Sequence, residues 1–208
     1  MTEHYFSETP QSEMRTQQIE VELAGAPRQV TTASGVFSSE HLDRGTEILL
    51  RFLAAEASTH DGTAVNEVIL DLGCGWGPIA LSAALSRVDA QVWAVDINAR
   101  ARELTHRNAE ALGLTNVMIA DPESVPADIE FDELHSNPPI RVGKEALHGM
   151  LSQWLPRLRV GGSAHLVVAK HLGAESLQRW IGTTFPGFEV ARSARDKGFH
   201  IITAMRES

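Results

Sequence analysis

From Val65 onward, two hydrophobic periods alternate along the chain. Short runs of adjacent apolar residues bounded by turn residues predict buried strands. Stretches with apolar positions three and four apart predict helices. The first run, Val68–Leu72, closes in a glycine-rich turn, and residues 78–85 follow as a helix with Pro78 in its first turn, where the missing N–H leaves no bond unmade. Residues 91–96 form the second strand. Residues 99–112 are rich in Ala, Arg, Glu and Leu and end before Gly113, a favourable helix stop. Val117–Ala120 and residues 131–135 predict strands three and four. A helix over 144–155, a turn at Gly161-Gly162, a strand over 164–169, a helix over 174–184 and two strands near 188–192 and 199–204 complete the series.

The first 64 residues are less regular. Residues 19–23 alternate apolar and acidic side chains, residues 29–32 are strand-like, and Gly25-Ala26-Pro27 stands between them as a turn. After the loop Ser34-Gly35-Val36-Phe37-Ser38-Ser39, Asp43 is placed to cap a helix over 46–57, and 57–64 reads as an exposed connection. The expected organisation is a small N-terminal β appendage and helix over 1–64, packed on a main domain over 65–208. Strand–helix alternation at this spacing implies an α/β, Rossmann-like fold: a seven-stranded, mostly parallel sheet, helices on both faces, and an antiparallel hairpin at one edge. In such sheets ligands bind outside the carboxyl ends of the strands, where strand order reverses. The glycine turn, Asp96, Asp121 and Asn137 all fall at such ends and are expected to converge.

Composition changes the picture only in part. A chain of 208 residues, 43% of them hydrophobic, can bury one large core. Its apolar runs are too short for a membrane span, and its N-terminus lacks a basic, then apolar, signal pattern. The single cysteine, Cys74, excludes an internal disulfide framework and fits a reducing cytoplasm. No His-x-x-x-His or Cys-x-x-Cys spacing is present, so no metal is expected. The net charge of −9 conceals a reversal. Residues 1–136 carry 8 Lys and Arg against 22 Asp and Glu, whereas 137–208 carry 10 against 5. One reading is uneven surface charge without purpose. The other is a basic face that meets phosphates while the rest repels them.

Asp71-Leu72-Gly73-Cys74-Gly75-Trp76-Gly77 packs three glycines into five residues, which lets the backbone turn tightly and approach a ligand. A nicotinamide-binding domain is the first alternative. Its fingerprint, however, spaces glycines Gly-x-Gly-x-x-Gly to open a helix N-terminus for pyrophosphate. Here the spacing is Gly-x-Gly-x-Gly, with an aspartate before it. An anion there suits a cationic amino-acid group better than a pyrophosphate, and Asp96 can accept from both hydroxyls of a ribose. A ligand with a ribose and a positive charge but no phosphate describes S-adenosylmethionine. The fourth strand runs into Asn137-Pro138-Pro139-Ile140. Two consecutive prolines neither extend a ladder nor enter a helix interior, so they make a stiff corner. It holds the Asn137 carboxamide and Pro138 carbonyl in fixed directions. Two neighbouring acceptors suit a planar amino group with two hydrogens.

The glycine turn, Ala94-Val95-Asp96-Ile97-Asn98 and Ser136-Asn137-Pro138-Pro139-Ile140 resemble the motifs of class I S-adenosylmethionine-dependent methyltransferases. Within them the chain is most similar to the small methyltransferase-domain group related to ribosomal small-subunit RNA guanine-N2 methyltransferases. The resemblance extends to His4-Tyr5-Phe6-Ser7-Glu8-Thr9-Pro10, Gly35-Val36-Phe37-Ser38, Leu42-Asp43-Arg44-Gly45-Thr46 and Arg141-Val142-Gly143-Lys144. It implies that Asp71, Gly73 and Gly75 line the methionine moiety of the cofactor, that Asp96 holds the ribose and that Ile97 packs on adenine. It further implies that Asp121 accepts from the adenine amino group, and that Phe37 and Thr46 close over the methionine end. Asn137, Pro138, Pro139 and Ile140 become the transfer site, with ribosomal RNA or the small ribosomal subunit as partner.

Ile140 departs from the aromatic that usually follows Asn-Pro-Pro in adenine-N6 and glutamine-N5 enzymes of the wider superfamily; it presses on a ring but offers no π face. Guanine N2 is the first expectation. A protein glutamine amide, a small metabolite, and a cofactor-binding ribosome-assembly module with dispensable catalysis are the alternatives. Arg141 and Lys144 are read as phosphate contacts, with Arg157, Arg159, Lys170, Arg192, Arg195 and Lys197 farther off. His135 and His148 are read as packing or surface residues, since methyl transfer needs no histidine base.

Overall fold

The computed structural model describes residues 14–57, 66–139 and 143–208. Strands β1 (Thr16–Leu23) and β2 (Ala26–Ala33) pair antiparallel around a two-residue turn, Ala24-Gly25, whose φ angles are 51° and 73°. Two successive positive φ values match the right-handed twist of a tight hairpin. The turn expected at Gly25-Ala26-Pro27 thus closes earlier, and Pro27 already lies in β2 opposite Glu22. After α1 (Arg44–Ala57) come β3 (Val68–Leu72), α2 (Pro78–Ser86), β4 (Gln91–Val95), α3 (Ala99–Ala111), β5 (Val117–Ala120) and β6 (Phe131–Ser136). Then follow α4 (Lys144–Trp154), β7 (Leu158–Ala169), α5 (Ala174–Thr184), β8 (Phe188–Asp196) and β9 (Phe199–Arg206). The expected exposed connection at 57–64 falls, beyond Ala57, outside the described residues.

The seven-stranded sheet has the order β5-β4-β3-β6-β7-β9-β8. Its first five strands run parallel, and β9 is antiparallel to both β7 and β8. The chain order reverses between β3 and β6. On one face, Ile48 and Leu49 of α1 pack with Ile79, Val167 and Ile201, and Ala80 and Ala84 of α2 pack with Ile69, Val92 and Ala94. On the other, Leu147, Leu151 and Trp154 of α4 and Leu177 and Ile181 of α5 cover Leu70, Leu134, Leu166 and Val168. The β1–β2 hairpin docks on α3 through buried Asn108. Its Oδ1 accepts from Thr31 N (2.7 Å), and its Nδ2 donates to the carbonyls of Thr31 (2.9 Å) and Trp76 (3.0 Å).

Gly161-Gly162 is not the turn that its composition predicts. β7 begins at Leu158 and runs through both glycines, while the register with β6 jumps from Phe131↔Leu158 to Glu133↔Ser163. A Cβ on Gly162 would stand 2.8 Å from the Asp132 carbonyl, and Gly161 has φ +86°. The pair makes a bulge that lets the strand continue.

Candidate active site

At the carboxyl end of β3 the backbone turns back onto β4. The amides of Gly73 and Cys74 both donate to Val95 O, at 2.8 and 3.1 Å, and Gly75 N donates to Asp96 Oδ2 at 2.9 Å. Gly73, Gly75 and Gly77 all take positive φ (80°, 59° and 95°), for different reasons. A Cβ on Gly73 or Gly75 would meet nothing within 4 Å, so these two leave open space above the turn. One on Gly77 would stand 2.9 Å from the Thr105 side chain; that glycine admits α3. Asp71 lies fully buried beneath the turn. Its Oδ2 accepts from Ala80 N (2.9 Å), tying the turn to α2, and its Oδ1 has no partner. Burial lifts this carboxyl to about 8, opposed by the Ala80 N–H and reinforced by Asp96. Burial thus favours the neutral carboxyl at Asp71. Cys74 is also buried, within 3.6 Å of Thr105 Oγ1 and 3.8 Å of Gly75 O, and burial pushes its thiol well up.

Asp96 follows β4 and Asp121 follows β5. The Asp96 carboxylate accepts from Asn98 N (2.8 Å) as well as Gly75 N; burial raises its pKa, and these amides with Arg102 pull the other way. Each carboxylate oxygen has a second lone pair, so two hydroxyls still find acceptors there. Asp121 accepts from Glu123 N through Oδ1 and pairs with Arg102 at 3.0 Å through Oδ2; that guanidinium also donates to the carbonyls of Asp96 (2.7 Å) and Ile97 (2.9 Å). The loop after β2 is pinned onto this corner. Asn98 Nδ2 donates to Gly35 O, Arg100 to Ser34 O, and Trp76 Nε1 to Ser38 O. Between these anchors Phe37 stands 47% exposed, and Ile97 is 49% exposed. These two large apolar side chains are left exposed at the corner that holds Asp96.

Across the reversal point, Ser136 Oγ donates to Leu72 O (2.7 Å) and ties the end of β6 to that of β3. Asn137 comes next. Its Nδ2 donates to Asp43 Oδ2 (2.7 Å) and Thr46 Oγ1 (3.0 Å), while Thr46 N donates to the same Asp43 oxygen (3.1 Å). A carboxylate only accepts, so the amide can sit only one way round, with Oδ1 free. Gly45 lets α1 come this close: a Cβ there would lie 3.0 Å from Asp43 Oδ2 and 3.4 Å from Asn137 Nδ2. Pro138 is buried and Pro139 half-buried. Lys144 is exposed at the start of α4, whereas Ile140, Arg141 and the 4–10 motif lie outside the described residues. His135 is buried, bonded to Glu133 Oε2 (2.8 Å), and His148 stacks on Trp180 at 3.8 Å. Both are packing residues.

Asp71, Gly73, Gly75, Asp96, Ile97, Asp121 and Asn137 thus share one edge of the sheet, with Phe37 and Thr46 brought to it by the loop and α1. Sequence reasoning gave Asp43 only a capping role and passed over Gly45 and Arg102. Asp43 and Gly45 sit within Leu42-Asp43-Arg44-Gly45-Thr46, so the signal was present. Nothing in the sequence separates Arg102 from the other arginines of α3.

Residues 27–203 match the family model described as "Methyltransferase small domain". Protein YbxB of Bacillus subtilis (strain 168), itself uncharacterized, is 34% identical over 99% of this chain and 100% of its own length. Ribosomal RNA small subunit methyltransferase C of Pseudomonas entomophila (strain L48) is 30% identical over 93% of this chain and 56% of its own. The chain spans about half the length of the ribosomal RNA methyltransferases it matches. The structure of the T. thermophilus 16S rRNA N2 G1207 methyltransferase, in complex with AdoMet and guanosine, has a TM-score of 0.77 at 23% identity, over 95% of this chain and 52% of that one. That likeness is one of fold.

Proposed function

Since this chain belongs to the methyltransferase small domain family and is an S-adenosylmethionine-dependent methyltransferase, we propose that its acceptor is the exocyclic N2 of a guanine in small-subunit ribosomal RNA. The observation that carries this reading is the locked Asn137 amide: Asp43 and Thr46 hold its Nδ2 and leave its Oδ1 to accept, at the end of a strand that Ser136 Oγ ties to Leu72 O, just before the glycine turn. S-adenosylmethionine, when bound, supplies a methyl group already activated by its sulfonium. Gly73 and Gly75 give its amino-acid end room, Asp96 accepts from its ribose, Ile97 and Phe37 flank its base, and Asp121 faces its amino group. Asn137 Oδ1 and the Pro138 carbonyl accept the two hydrogens of the acceptor nitrogen. They favour a pyramidal nitrogen and stabilise the positive charge that develops there. In-line alignment by a rigid corner contributes up to roughly 7–11 kcal/mol in ideal cases. Ile140 presses on the ring, and Arg141 and Lys144 meet flanking phosphates. In this reading residues 65–208 carry the chemistry, 1–64 close the cofactor side, and the protein works in the cytoplasm.

The guanine must leave its stack to reach the corner, which costs least in a loop or single strand. Incubation of labelled S-adenosylmethionine with under-methylated small subunits tests the reading. Label should appear in guanine and fall by about 10²-fold or more with Asn137→Ala, the cost of losing one preorganised contact. Label confined to protein or to a metabolite overturns it. Cofactor binding without transfer to any fraction favours an assembly module instead.

A further inference from the structure

The chain contains three lysines, Lys144, Lys170 and Lys197. The fold brings all three to the edge of the sheet that carries Asn137. Lys144 opens α4, the helix that follows β6. Lys170 directly follows β7, and its N–H donates to Gly198 O (2.8 Å), which places the Lys197-Gly198 turn beside it. Arg44, at the start of α1, continues the arc: the adjacent Gly45 approaches both Asn137 and Phe199. A rim therefore runs from α4 through the 170–173 turn and the β8–β9 turn to α1, around the acceptor side of the corner.

Most of the other cations are spent elsewhere, although Arg28, Arg179, Arg192 and Arg195 likewise have no ion pair among the described residues. Arg51, Arg87, Arg102, Arg107 and Arg159 are in ion pairs, and Arg157 and Arg206 are bonded to backbone carbonyls. Arg157 and Arg159 moreover sit at the start of β7, the far edge of the sheet, away from the corner. Arg44, Lys144, Lys170 and Lys197 are exposed, and none has an ion pair among the described residues. The cofactor side of the same edge is acidic, with Asp96, Asp121 and Glu123. A chain with net charge −9 that keeps its lysines together, solvated and unpaired, around one corner has arranged them for an anionic partner.

We propose that Arg44, Lys144, Lys170 and Lys197 form a phosphate-binding rim that holds the RNA strand on either side of the acceptor base. The rim deepens the reading above, resting on RNA as the acceptor, and extends it to three cations on the β7, β9 and α1 side. Each contact releases about 0.7 counterions from a single strand, so the logarithm of the association constant falls with the logarithm of salt in proportion to the contacts made.

The probe is a fluorescein-labelled RNA stem-loop with guanosine in its loop, titrated over a range of potassium chloride with S-adenosylmethionine present. The double variant Lys170→Gln, Lys197→Gln should lose about 1.4 from the salt slope. The Lys170→Arg, Lys197→Arg pair should keep the wild-type slope, and so should Arg179→Gln on α5. Cofactor affinity should be the same in all. A wild-type slope in the double Gln variant, on RNA that the enzyme methylates, overturns the rim and spares the proposed function. RNA bound with the expected slope change but never methylated sustains the rim and overturns the function. Wild-type binding indifferent to salt, with label entering protein instead, overturns both.

Discussion

With both amide hydrogens of Asn137 given to Asp43 and Thr46, the orientation of its oxygen is set by residues outside its own strand. Asp43→Ala removes the carboxylate that forbids the flipped amide. Single-turnover transfer should fall by about tenfold or more, while the cofactor dissociation constant stays put; the lost cap costs roughly 1 kcal/mol of stability besides. An equal loss in cofactor affinity would contradict an orienting role. Asp71 makes a different prediction. Burial lifts its pKa from 3.8 to about 8, so across that window the folded chain keeps a proton that the unfolded chain releases. Its contribution is complete below about pH 4, and stability then falls by about 1.4 kcal/mol per unit as pH rises, levelling above 8. His165 acts oppositely, because burial lowers it from 6.5 to about 4 and stability is lost as pH falls between them. The two oppose each other below about 6.5 and leave Asp71 alone above it. Urea unfolding of Asp71→Asn should show no decline from about pH 6.5 to 8 beyond that of other groups; a wild-type decline rejects the assignment.

Elements with a clean period were legible in the sequence to their ends: Val68–Leu72, Val117–Ala120 and α5 at 174–184 stand where the pattern puts them. Those that differ do so through long-range partners. β7 gains its first residues because β6 supplies a ladder past the Gly161-Gly162 bulge, and β8 reaches Asp196 because β9 pairs with it on both sides of a register shift at Ser193. Composition alone cannot say that a glycine pair has a neighbouring strand to bulge against. The gathering of the glycine turn, Asp96, Asp121 and Asn137 at one edge was equally legible, since they follow strand ends, whereas Asp43 was marked only as a cap and Arg102, which acts across elements, carries no local mark. The hairpin illustrates the same point. Asn108, mid-helix, bonds both backbone groups of Thr31. Asn108→Ala should leave these groups unpaired at a cost of about 1–3 kcal/mol. Hydrogen exchange at Thr31 and its β1 neighbours should quicken while β3 and β6 stay protected; unchanged exchange in the hairpin would show that apolar packing alone docks it.

For the molecule as a whole, the reversal of strand order between β3 and β6 divides the working edge. One side carries Asp96, Asp121 and Glu123, the other Arg44, Lys144, Lys170 and Lys197. The charge change along the sequence, at the Asn-Pro-Pro corner, follows the crossover from β5 to β6, after which the chain stays on the other side of β3. No reading of totals reveals it. The buried thiol in the glycine turn has one more consequence. Cys74 is the chain's single cysteine and is held neutral, so an alkylating agent reaches it only when the turn opens. It is thus a built-in clock for that opening. Pulse labelling with iodoacetamide should slow about a hundredfold at S-adenosylmethionine concentrations a hundred times the dissociation constant, and should ignore RNA added alone. Labelling that slows with RNA alone would mean that the two halves of the edge open as one.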